Sequence, residues 1–96
     1  LNGLVMVTVI LDEADLPLGE AWVELMGLPE LGKGERPLAE TLETELTEYL
    51  DGAGKKMLAN DDKLNEALRK IVRQVAMEEI GKKPEVMVGV SRLAVE

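Results

Sequence analysis

The side chains able to do chemistry in this chain are carboxylates, amines and hydroxyls. Asp12, Glu13 and Asp15 crowd one acidic turn, a group of oxygens of the kind that gathers a divalent cation. No EF-hand spacing with its Gly and terminal Glu follows, so a solvated acidic turn is the simpler reading. Glu40, Glu43, Glu45 and Glu48 recur along a helical stretch. A pair of them could act as acid and base, but Glu at that spacing ordinarily solubilises a helix surface. Gly32-Lys33-Gly34-Glu35 lacks the G-x-x-x-x-G-K-[ST] spacing of a phosphate loop and reads as a flexible connection. There is no His and no Cys. Imidazole general-base catalysis, Ser–His or Cys–His nucleophile pairs, His-based metal sites and disulfides are therefore excluded within this chain.

Charge narrows the partners. The net charge is −8 and unevenly placed: residues 1–51 carry twelve acids and two bases, residues 52–96 seven acids and nine bases. Such a chain is repelled by a phosphate backbone. The basic set Lys63, Arg69, Lys70 and Arg73 is the candidate for RNA contact, and its plainer role is a solvated helix face pairing with the acidic first helix. One Trp and one Tyr are too few for a base-stacking sheet, and no G-x-x-G clamp occurs. No run approaches the ~18 apolar residues of a membrane span. Leu4–Leu11 is too short and lacks a basic flank, so no membrane partner and no signal peptide are expected. The absence of Cys fits a cytoplasmic location.

The 96 residues make one domain, residues 1–96, with a modest two-layer core. The chain starts at Leu1, not Met, so an excised piece of a longer protein is expected. Leu4–Leu11 is a β-branched run, apolar on both faces, as a central covered strand is. Asp12–Gly19 is a turn with Pro17 and Gly19. Glu20–Met26 returns as a second strand. Gly27–Arg36, with three Gly and Pro29, reads as a mobile connection. Pro37 suits a first helical turn, and Leu38, Leu42, Leu46 and Tyr49 follow on one face with Leu50 beside it. Gly52 and Gly54 stop that helix. Lys55–Asn60 is a short link, which makes the two helices antiparallel neighbours.

Asp61–Val90 organises the rest. Leu64, Ala67, Leu68, Ile71, Val72, Val75 and Ile80 form one apolar stripe at helical spacing. Asn60, Asp61 and Asp62 offer capping oxygens, Gly81 a left-handed stop, and Pro84 prevents the helix resuming. Val86, Val88 and Val90 alternate as a strand. The expected fold is therefore α+β, ββααβ. Its mixed three-stranded sheet has the order second–first–third, and both helices lie on one face.

That arrangement leaves a sheet face uncovered. Val5, Val7, Val9 and Leu11 face the helices. The other side of the sheet presents Leu4, Met6, Thr8 and Ile10 with Trp22, Met26 and Met87. Three of the five Met and the only Trp fall there. Met6, Ile10, Trp22, Met26 and Met87 are the candidate protein-interaction residues, since Met and Trp suit partner surfaces. The plainer alternatives are a register shifted by one residue, or scattered exposed apolar groups.

Three stretches carry a family likeness: Gly3-Leu4-Val5-Met6-Val7-Thr8-Val9-Ile10-Leu11, Gly19 leading to Val23-Glu24-Leu25-Met26-Gly27-Leu28-Pro29, and Leu64 to Arg73. With the closing Gly81-Lys82-Lys83-Pro84-Glu85-Val86-Met87-Val88-Gly89-Val90 strand, they resemble the small C-terminal domain of ribonuclease J, of the metallo-β-lactamase/β-CASP ribonucleases. The Met-Gly-Leu-Pro segment departs from an Arg-Gly-Phe-like version common there, which marks a divergent branch. The resemblance implies a non-catalytic accessory and oligomerisation domain of an enzyme that processes and degrades RNA. It implies zinc in the parent enzyme, held by residues outside this chain, and no cofactor within it. The implied partners are the enzyme's own catalytic domains or a second copy in a homodimer, with RNA met through the parent. A free-standing interaction or regulatory domain, or a module that touches RNA through Lys63, Arg69, Lys70, Arg73, Lys82 and Lys83, are the competing readings.

Overall fold

A computed structural model describes residues 3–94. Leu1, on which the expectation of an excised piece rests, lies outside the described residues. The elements in chain order are β1 (Leu4–Asp12), β2 (Trp22–Met26), α1 (Leu38–Gly52), the one-turn α2 (Lys55–Leu58), α3 (Asp61–Ile80) and β3 (Glu85–Leu93). The sheet order is β2-β1-β3. β2 pairs with β1 antiparallel and β3 pairs with it parallel, as the crossover through the helices requires. The register sets Met6 opposite Glu24 and Met87, and Val7 opposite Val23 and Val88. Odd and even positions of β1 therefore hold the faces expected of them.

The core forms between the odd face and the helices. Val5, Val7, Val9 and Leu11 are buried against Leu38, Leu42, Leu46 and Leu50 of α1 and Leu64, Leu68, Val72 and Val75 of α3. No polar or charged side chain is buried with them among the described residues. Leu50 continues the four-residue spacing into the core and Tyr49 is only partly buried, the reverse of the expected emphasis. Ile71 and Ile80, placed on the α3 stripe by spacing, likewise lie at its half-buried margin.

Local chemistry sets the boundaries. Asn60 Oδ1 accepts the Lys63 N–H at 3.0 Å and caps α3. Gly81 closes α3 with φ +66°, a left-handed conformation that costs Gly little. Two connections differ from expectation. Lys55–Asn60 contains α2, whose Leu58 reaches the core. Gly27–Arg36 is not a loose link: Leu38 N–H donates to Glu30 C=O, Gly32 N–H to Arg36 C=O, and Leu31 bridges Pro37. The Gly and Pro residues there shape a closed loop with one turn of 3-10 helix.

Candidate functional site

The exposed face of the sheet contains every residue expected there. Met6 and Ile10 are each 37% exposed, Trp22 62%, Met26 56% and Met87 55%. β1 supplies the middle row, β2 and β3 the flanks. Trp22 donates its indole N–H to Glu24 Oε1 at 3.1 Å, which stands the ring at the β2 flank. Among the described residues no helix crosses this face, because both long helices have one apolar stripe and use it on the other side.

Two neighbours on this surface escape a reading of the sequence. Leu93 is 50% exposed and shares the parity of Met87, because β3 runs three residues beyond Val90. Leu18 stands beside Ile10 through its N–H bond to the Ile10 carbonyl. The alternation through Ser91 to Leu93 could have shown the first. The second depends on how the turn folds back, with Asp12 Oδ1 accepting the Ala14 and Leu16 N–H groups.

The basic set does not converge in the same way. Lys70 pairs with Glu66 of its own helix at 3.7 Å, and Arg69 donates to Asn65 Oδ1 at 2.7 Å. Lys63 and Arg73 are exposed. For Lys70 and Arg69 the expected pairing with acidic α1 is replaced by partners on α3 itself. Lys70 and Arg73 join Lys83 in an open groove of about 600 Å³ between α3 and the start of β3, but Glu78 and Glu85 line it too. Mixed charge of this kind makes no continuous track for a phosphate backbone.

Asp15 and Glu43 are engaged in structural contacts. Glu43 Oε2 accepts the Val23 N–H at 3.0 Å, and Asp15 binds Arg92. Arg92 is the polar clasp that spacing could not reveal. Its guanidinium reaches Asp15, Asp61 at 2.7 Å and the Leu58 carbonyl at 2.8 Å, tying the β1–β2 turn and the α2–α3 junction to the end of β3. Hydrogen bonds to Asp15 and then Asp61 raise its pKa above the ordinary arginine value.

These facts define a class: an α+β domain with one covered and one apolar, uncovered sheet face. The family model for the ribonuclease J C-terminal domain matches residues 1–93. The chain belongs to that family. No curated protein matches it. The zinc that the resemblance implies for the parent enzyme does not fit the side chains present here. The chain lacks His and Cys, and no three acidic side chains come together to hold a metal among the described residues. No helix among the described residues is long and apolar enough to cross a membrane.

Proposed function

We propose that this domain is a non-catalytic accessory and oligomerisation module of a ribonuclease J-like enzyme that processes and degrades RNA. The observation that carries this reading is the apolar face of Met6, Ile10, Trp22, Met26 and Met87 on a domain whose helices are fully engaged elsewhere. Full burial of such a side chain contributes about 1.5–3 kcal/mol relative to exposure. Several at once, already partly buried, still favour coverage by a partner. The partner is a second copy of the chain or the catalytic domains of the same enzyme. Zinc chemistry and RNA cleavage reside in those domains, and the enzyme works in the cytoplasm. RNA reaches the assembly through them, because this domain is acidic.

Sedimentation velocity tests the reading. The wild-type chain should self-associate or bind the catalytic domains through this face, and Met6→Lys or Met87→Glu should abolish assembly through it while far-ultraviolet circular dichroism stays unchanged. Assembly in both settings that survives Met6→Lys would overturn it. An H-x-H-x-D-H motif in sequence preceding the domain would settle the parent's chemistry.

A further inference from the structure

The two edges of the sheet are treated differently. At the β2 edge, α1 takes two of the outward N–H groups: Thr47 Oγ1 accepts the Ala21 N–H at 3.1 Å and Glu43 Oε2 the Val23 N–H at 3.0 Å. At the β3 edge the pairing with β1 fixes which groups point out. Glu85 N–H donates inward to the Gly3 carbonyl. By the alternation of a strand, Glu85, Met87, Gly89, Ser91 and Leu93 bond toward β1, and Val86, Val88, Val90 and Arg92 direct their backbone groups outward. Asn65 Nδ2 donates to the Val88 carbonyl at 3.4 Å, and Val86 is buried. Beyond them, the outward N–H and C=O groups of Val90 and Arg92 meet no protein partner among the described residues.

We infer that the last five residues of β3, Gly89–Leu93, pair antiparallel with the same residues of a second copy. The inference goes beyond the assembly reading above: it places a second copy at the sheet edge and leaves the Met-rich face for a further partner. Three observations select a second copy. First, α1 lies along the β2 edge and takes two of its N–H groups, so among the described residues the C-terminal half of β3 is the edge left clear. Edge pairing between copies must then be β3 against β3, which closes at two subunits instead of growing into a fibre. Second, the outward groups belong to even-numbered residues on both copies, so Val90 faces Arg92 of the second copy and Ser91 lies on the two-fold axis. Third, this register sets Leu93 of the second copy beside Gly89. Gly89 is exposed, and a Cβ built on it would come no nearer than 3.9 Å to the Val7 carbonyl, so it leaves the room a leucine side chain needs. Equal parity also puts both Met-rich faces on one side. The dimer is a six-stranded sheet with four long helices behind it and a double-width apolar surface in front.

Val90→Pro tests the seam. It deletes an outward N–H that the monomer does not use, a position where an edge strand tolerates proline. The expected result is a dimer dissociation constant raised about tenfold or more, with circular dichroism unchanged. Hydrogen exchange on the wild-type chain gives a second readout that needs no variant: the Val90 and Arg92 amides should gain protection as concentration rises through the dimer range. A folded Val90→Pro chain that dimerises like wild type overturns the inference, as do Val90 and Arg92 amides indifferent to concentration. If Met6→Lys dissociates the dimer and Val90→Pro does not, the seam is wrong and the apolar-face reading stands. If Val90→Pro dissociates it and Met6→Lys impairs no assembly, the seam stands and the apolar-face reading fails.

Discussion

Truncating Leu68 tests the packing that leaves one sheet face free. Leu68 is fully buried at the middle of α3, between α1 and the sheet. Leu→Ala in such a site costs about 2–5 kcal/mol, more where the surroundings cannot collapse. Here α3 is held at its start by the Asn60 cap and the Arg92 clasp, so it cannot slide inward to fill the space. The upper half of that range, about 3–5 kcal/mol, is expected. Ile71 lies at the margin of the same stripe, half-buried. Its truncation should cost less, about 1–2 kcal/mol, because less area leaves water on folding. A domain of this size has about 5–14 kcal/mol in all. Urea melts followed by circular dichroism measure both losses directly. The midpoint for Leu68→Ala should fall far below that for Ile71→Ala. Equal losses, or a larger one at Ile71, would mean that α3 is rotated on the sheet, and the covered face would be misassigned with it.

Other perturbations probe the polar contacts. Thr47→Val removes the acceptor of the Ala21 N–H, and Ala21 is buried, so a loss of about 1–3 kcal/mol is expected in the same urea melts. Arg92→Met should destabilise the domain by an amount that does not change between about pH 7 and about pH 10. The folded pKa of Arg92 is raised, so its contribution is complete below the unfolded value and fades only in strongly alkaline solution, as pH rises through the folded value. A stability difference between Arg92→Met and wild type that shrinks across that window would contradict the clasp. RNA should bind weakly: no gel shift at micromolar protein in ~150 mM salt. Tight binding lost on Arg69→Glu, Lys70→Glu and Arg73→Glu would favour a direct RNA role.

The parts legible in the sequence are those governed by period. Alternation in β1 and β3 and the 3.6-residue stripes of α1 and α3 are short-range signals of burial, and they placed Val5, Val7, Leu46 and Leu68 correctly. They also placed Met6, Trp22 and Met87 on the free face, because parity carries across a ladder once one pair is right. Tertiary hydrogen bonds were not legible. Arg92 meets Asp15 across 77 residues and Glu43 meets Val23 across 20, and no local pattern encodes either. Gly-rich composition misled at Gly27–Arg36. Composition reports backbone freedom, whereas the Leu31–Pro37 bridge and the Leu38–Glu30 hydrogen bond depend on where α1 begins.

Trp22 offers the most direct test of the proposed assembly face, because it is the only tryptophan and stands exposed within that face. Replaced by 5-fluorotryptophan, it gives a single fluorine resonance. That resonance should shift, and lose its sensitivity to heavy water, when the labelled chain is joined to the unlabelled catalytic part of its enzyme or concentrated into its assembled state. A resonance that stays solvent-sensitive in both would contradict the claim that this face is where the domain is held.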